Sequence, residues 1–277
     1  MPKIEAKSQQ VYNVTADTVI LLQVAAQRDD HQTVLSESLE LSGAVTSDAM
    51  QEYTLDGEQN RLHRFQCPPG EVTIDYHVVA KTDLALVETP QPSPTLATLP
   101  PEVLRYTFPS RYCESDKLGD WALQTFGSLH PDDSRVLAIA NWVYDHMTYD
   151  IAATGPQSSA VDVLDTGRGV CRDYAHLMIA ACRALDIPAR YVSGYVANLQ
   201  PPDFHALVEA YVGDGWYLFD PTRLAPRSGL VRITRGVDAS ETSFCTIIGS
   251  AQLVTQSVEA WLPDGEPVGE APRVRVS

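Results

Sequence analysis

Three side chains with the makings of a nucleophilic site follow one another along this chain: a thiol in Gly169-Val170-Cys171-Arg172-Asp173, an imidazole in Phe204-His205-Ala206 and a carboxylate in Phe219-Asp220-Pro221-Thr222. A thiol is only slightly ionised near neutral pH, so a catalytic cysteine needs a nearby base and a third group that orients the base. Cys171, His205 and Asp220 supply one of each. Taken singly, each has a plainer reading: a small apolar residue at the start of a core helix, a satisfied strand histidine, and a strand exit stiffened by the proline after it. Their joint occurrence points to acyl chemistry through sulfur.

The elements that must position these residues are legible in the spacing. Gly167-Arg168-Gly169 breaks the chain before a helix in which Ala175, Met178, Cys182 and Leu185 recur at three and four residues, until Asp186-Ile187-Pro188 ends it. Cys171 therefore stands in the first turn, where unpaired N–H groups and the positive end of the helix dipole stabilise a thiolate and can donate to an oxyanion. Cys182 lies about 16 Å further along the axis, too far to pair with Cys171, and reads as core. His176, five residues on, points away from Cys171 and reads as structural. Cys67, Cys113 and Cys245 have no His or Cys neighbour at ligand spacing, and no EF-hand calcium loop is present. Neither a metal nor a cofactor is expected.

Phe204, Ala206, Val208, Ala210 and Val212 form one apolar strand face, which directs His205 to the other face with Leu207, Glu209 and Tyr211. The chain returns across Gly213-Asp214-Gly215 to Trp216–Phe219, and Pro221 holds Asp220 extended. A tip centred on Asp214 leaves His205 and Asp220 about three residues out of register, roughly 10 Å, so a bulge or a shifted tip is required for them to meet.

Further upstream, Pro131-Asp132-Asp133-Ser134 is a helix start, and Val136, Ile139, Ala140, Val143 and Met147 then predict a helix over about 134–147. A strand is expected around 189–196. Residues 9–80 read instead as strands: Val72, Ile74, Tyr76 and Val78 alternate with Thr73, Asp75 and His77. Five prolines between 89 and 102 mark a stiff connector. The expected organisation is an amino-terminal antiparallel β-sandwich-like domain (1–88), a proline-rich linker (89–105) and an α+β domain (106–277) that carries the chemistry.

Composition narrows the function classes. At 277 residues with a net charge of −16, the chain lacks the clustered Lys and Arg that nucleic-acid binding rests on. No run approaches the roughly 18 uninterrupted apolar residues of a membrane span, and Met1–Gln10 is too polar for a secretory signal. Five widely spaced cysteines, an odd number, argue against a disulfide framework. A cytoplasmic location with reduced thiols is expected, with no nucleic-acid or membrane partner.

The motifs together resemble the transglutaminase-like superfamily of papain-type fold, in particular small bacterial members with an amino-terminal β-domain. The resemblance runs through Tyr149-Asp150, Gly169–Asp173, Cys182–Tyr195, Phe204–Glu209 and Gly215–Thr222, and extends to Leu99–Pro101 and Ser110–Tyr112. It implies a Cys-bearing helix packed on an antiparallel sheet, with Cys171 as nucleophile, His205 as general base and Asp220 holding the imidazole, and it implies that the last two are adjacent. It also implies a thioester intermediate on a peptide or protein substrate, resolved by water (peptidase or deamidase) or by an amine (transamidation). Tyr149 is the candidate for a second oxyanion donor beside the Cys171 N–H, or a packing residue. Two departures from the family pattern bear on substrate preference: Leu207 stands where Trp is frequent, and Arg223 where Asn or another small polar residue is common. An accessory role in peptide synthesis or modification, and a non-catalytic peptide-binding module, are the other readings.

Overall fold

Period-two alternation governs the first third of the molecule. In β1 (Lys3–Val14) Ile4, Ala6, Ser8, Gln10, Tyr12 and Val14 are buried while the residues between them are wholly or partly open. It is followed by β2 (Thr18–Leu22), β3 (Gln32–Gly43), β4 (Gln51–Thr54), β5 (Arg61–Cys67), β6 (Gly70–Thr82) and the short β7 (Ala85–Val87). The computed structural model describes residues 2–55, 57, 59–87, 92–265 and 273–276, so the start of the expected proline-rich linker lies outside the described residues.

Helical periodicity then takes over, giving α1 (Pro101–Leu104), α2 (Gly119–Phe126), α3 (Asp133–His146), α4 (Ala160–Thr166) and α5 (Cys171–Arg183). The expected helix over about 134–147 is α3, whose start is fixed by Asp132 accepting the Ser134 N–H at 2.8 Å. Two-residue strands β8 (Thr148–Tyr149) and β9 (Arg168–Gly169) pair in parallel. The remaining strands are β10 (Ala189–Val196), β11 (His205–Val212), β12 (Gly215–Phe219), β13 (Leu230–Gly236), β14 (Cys245–Ile248), β15 (Ala251–Trp261) and β16 (Arg273–Arg275).

Six strands form one antiparallel sheet in the order β13-β10-β11-β12-β16-β7. On one face Ala206, Val208 and Ala210 of β11 pack with Ala175, Met178 and Cys182 of α5. On the other, Leu207, Tyr211 and Leu218 pack with Leu99, Val103, Tyr106 and Leu230. All eight residues of β11 are buried, its second face included, because the connector segment covers that side. His205 is correspondingly 1% exposed.

The other two sheets, β15-β1-β6-β3 and β14-β2-β5-β4, enclose a separate apolar core. Their strands β14 and β15, expected within the carboxy-terminal domain, hydrogen-bond with amino-terminal β2 and β1, while β7 crosses the other way to join the six-stranded sheet. The two halves also share an edge. Backbone groups of β13 that would face solvent are met by the first half: Gln32 receives the Arg232 N–H at 2.6 Å and donates to the Arg232 carbonyl at 2.8 Å, and Asn60 does the same at Arg235 at 3.0 and 2.7 Å. Side-chain amides stand in for a further strand and close an edge that would otherwise be open to pairing.

Candidate active site

The nucleophile end is built from short-range constraints. Asp173 is fully buried at the third position of α5, and its carboxylate accepts the Val170 N–H at 2.9 Å, which fixes the entry of the chain into the helix. A Cβ at Gly169 would lie 2.6 Å from the Asp173 side chain, so only glycine lets the strand pass this close. The consequence is that Cys171 is the first residue of α5, half-buried and reduced, with the helix N-terminus at its back.

Tyr149 reaches the same place by a different route. The parallel pairing of β8 with β9 sets Tyr149 opposite Gly169. Its hydroxyl is within hydrogen-bonding reach of both the N–H and the thiol of Cys171, and burial, reinforced by the Cys171 sulfur, pushes its pKa up, so it stays a protonated donor.

His205 opens β11, and the Cys171 side chain is within hydrogen-bonding reach of its ring. Its Nε2–H donates to Asp220 Oδ2 at 2.9 Å, with both side chains almost wholly buried. The other carboxylate oxygen accepts from the Thr222 N–H at 2.9 Å and from the Thr222 hydroxyl at 2.6 Å. Burial opposes charge on the imidazole, yet the Asp220 carboxylate beside it wins, raising the His205 pKa to about 10; the same attraction lowers Asp220.

The hairpin accounts for this meeting without a bulge. Val212 pairs with Gly215 across a two-residue tip in which Gly213 has φ +62°, and the pairs run regularly to Val208 with Phe219. Continued three steps, that register sets Thr222 opposite His205 and leaves Asp220 displaced by two residues, not three. An even offset keeps both on one side of the ribbon as a diagonal pair, a separation that an imidazole and a carboxylate can bridge.

A cavity of about 380 Å³ lies over this constellation, with Cys171, His205, Tyr191 and Phe204 among its walls. Part of its lining comes from residues that sequence reasoning did not single out. Gln256 belongs to β15 of the sandwich, and Asp203 accepts its amide at 2.9 Å. Ala239, also in the wall, is held by donating its N–H to His176 Nε2 at 3.2 Å. His176 is buried and stacked on Tyr112, and burial pushes its pKa down to about 3, so it is a neutral acceptor and a structural residue, as expected from its position. The signal available for Asp203 was its place two residues before His205; for Gln256 there was none. Cys182 is buried in the core cluster. Arg223 adopts φ +55°, the left-handed conformation that Asn tolerates better than most residues, which explains why a small polar residue suits this position. Its guanidinium lies over the Tyr144 ring at 4.0 Å and donates to Asn141.

The family model for the transglutaminase-like superfamily matches residues 120–221, a span that contains Tyr149, Cys171, His205 and Asp220. A solved structure from Cytophaga hutchinsonii, of a protein provisionally named a cysteine protease, is 34% identical and superposes with a TM-score of 0.93 over 99% of this chain and 97% of that one. This chain belongs to the transglutaminase-like superfamily. Among curated relatives of this superfamily member, an uncharacterized Mycobacterium leprae protein is 39% identical over 101 residues, 34% of this chain and 36% of that protein. A second uncharacterized protein, from Mycobacterium tuberculosis, is 30% identical over 122 residues, 44% of this chain and 35% of that protein. The matched segments thus span little more than a third of these mycobacterial relatives. Superfamily membership and the joined Cys, His and Asp side chains support a thiol-dependent catalytic role.

Proposed function

We propose that this protein is a cysteine hydrolase acting on a peptide or carboxamide bond of a peptide or protein substrate. One observation carries the reading: the Cys171 thiol, at a helix N-terminus, is within reach of an imidazole whose far nitrogen is bonded to a buried carboxylate at 2.9 Å. In this reading His205, with its pKa raised to about 10, already holds the proton shared with the thiol, and the Cys171 sulfur forms a bond to the carbonyl carbon as the C=O electrons move onto oxygen. The Cys171 N–H and the Tyr149 hydroxyl stabilise that oxyanion. Collapse of the adduct breaks the C–N bond, His205 gives its proton to the leaving amine or ammonia, and a thioester remains. Water, deprotonated by His205, then attacks the thioester and releases the acid and the thiol. An amine in place of water would give transamidation. All five cysteines are free, which supports a cytoplasmic, reducing compartment as part of the same proposal.

The decisive experiment incubates Gln- and Asn-containing peptides with the protein, with and without a primary amine, and compares products by mass spectrometry with those of Cys171→Ala. Chain cleavage or deamidation absent from the variant is the expected result, and amine incorporation alone would reassign the acceptor. Peptide binding with none of these three reactions would overturn the enzymatic reading in favour of a binding module.

A further inference from the structure

Asp203 occupies an unusual position between two cavities. It lies in the wall of the 380 Å³ cavity with Cys171 and His205, and in the wall of a neighbouring cavity of about 370 Å³ that runs along β15 past Val258 to Trp261. Its Oδ1 accepts the Phe204 N–H at 2.7 Å and the Gln256 amide at 2.9 Å, so the carboxylate is held in a set orientation by one backbone and one neutral side-chain donor. The side chain remains exposed. Among the described residues no lysine or arginine forms an ion pair with it. Surrounding protein mass raises its pKa more than the nearby His205 charge lowers it, a sign of a carboxylate short of positive charge.

The charges around it are unevenly shared. Of the two basic residues in the wall of the first cavity, His205 is paired with Asp220, and Arg172 is 3.2 Å from Asp173 and donates to Thr154 and to the Gly155 carbonyl. The second cavity holds Glu259 as well as Asp203 and no basic lining residue, while Leu199, Val258 and Trp261 supply apolar surface. Lys7 lies over the Trp261 ring at 5.4 Å and stands opposite Glu259 in the β1–β15 register, which leaves Asp203 as the carboxylate of this cavity without a lysine or arginine beside it. A long basic side chain matches this combination, with an aliphatic stem for the apolar wall and a cationic head for the carboxylate.

We propose that Asp203 is a specificity-determining residue, and that the cavity along β15 takes a lysine or arginine side chain of the substrate close to the carbonyl that Cys171 attacks. The proposal rests on the cysteine-hydrolase reading for its substrate, but the charge preference at the thiol can be measured without turnover. Cys171 is treated at low ionic strength with two methanethiosulfonates of similar size, one carrying an aminoethyl and one a sulfonatoethyl group, and modification at Cys171 is followed by peptide mapping. The ratio of cationic to anionic rates is expected to fall by about tenfold or more in Asp203→Asn, as the loss of one nearby unit charge dictates. It should fall equally in Asp203→Ser and be retained in Asp203→Glu. In Gln256→Ala, which removes the amide partner and leaves the charge, it should change little. An unchanged ratio in both neutral variants overturns the proposal, and so does an equal fall in Gln256→Ala, which would make the effect one of loop position. A peptide library screened with the wild type should then show Lys or Arg enriched beside the processed bond, and the enrichment should be lost in Asp203→Asn; turnover without such enrichment also overturns it. Absence of any turnover with an intact reagent ratio would sink the hydrolase reading while leaving the cation preference of Asp203 standing.

Discussion

His205 and Glu209 sit four residues apart on β11, on the same side of the strand, both buried and both ion-paired, yet they serve opposite ends. Glu209 is enclosed by cations: Arg190 contacts its Oε2 at 2.6 Å and Arg232 its Oε1 at 3.3 Å, and Arg232 and Arg235 reach on to Asp29 of the sandwich at 2.7 and 3.3 Å. Burial opposes its ionisation, but the three arginine charges win and lower its pKa. The His205 pair is closed on one side, by Asp220 and Thr222, and opens on the other to a thiol and a cavity. A perturbed, buried ionic group is therefore not a sign of chemistry by itself; what marks a site is a pair left incomplete toward a space that a substrate can enter. The Glu209 cluster ties three strands to the sandwich, and its completeness is what makes it structural.

Mutations can break this contrast from either side. The largest effect is expected at the open pair: Asp220→Asn should lower turnover by about 10³–10⁴-fold, since the imidazole loses its orienting charge, while the protein stays folded by circular dichroism. Activity within a few-fold of wild type would remove Asp220 from the working set. At the closed cluster the balance should reverse. Glu209→Ala leaves buried arginines uncompensated, so denaturant titration should show a loss of about 3–5 kcal/mol, with Cys171 alkylation preserved wherever the variant remains folded. A neutral result there would mean that Asp29 alone suffices to hold the arginines.

The pH dependence separates the two ends of the open pair. Because the folded-state pKa of His205 is raised to about 10, its contribution is full below its unfolded pKa and is lost as pH rises toward 10. Asp220 is lowered, so its contribution is present above its unfolded pKa and lost as pH falls. The difference in melting temperature between wild type and Asp220→Asn should therefore be widest between about pH 4 and 6.5, set by the unfolded-state values, and narrow toward pH 10. A difference that does not vary with pH would contradict the charged pairing. The smallest effect is expected just beyond the pair, at Arg223→Asn. Relief of the left-handed backbone and loss of the contacts to Tyr144 and Asn141 should nearly cancel, leaving stability within about 1 kcal/mol.

What was legible in the sequence follows from short-range periodicity. The α5 start at Cys171, the α3 start at Asp132, the Gly213 turn and the alternation in β6 are each written in a few neighbouring residues, and the structure has all four. Local reading stopped short where the far side of an element mattered. It grouped His205 with Leu207, Glu209 and Tyr211 on the second face of β11 without showing what covers them, because periodicity tells which residues share a face and not what lies over it. It asked for a bulge or a shifted tip in the hairpin, and the tip is the shifted one: with Gly213 and Asp214 at the turn, a two-residue diagonal brings His205 and Asp220 together.

By itself, then, the sequence determined that a thiol sits at a helix N-terminus, that an imidazole and a carboxylate sit on successive strands, and that the three belong to a transglutaminase-like set. Tertiary structure alone decided that Tyr149 stands at Cys171 through a two-residue ladder, that Gln32 and Asn60 close the edge of β13, and that Gln256 of the sandwich meets Asp203 at the cavity wall. The physical reason is range. Backbone preferences and side-chain periods act over a few residues, whereas Gln256 and Asp203 are 53 positions apart and Gln32 and Arg232 are 200, so those contacts exist only once the sheets have packed.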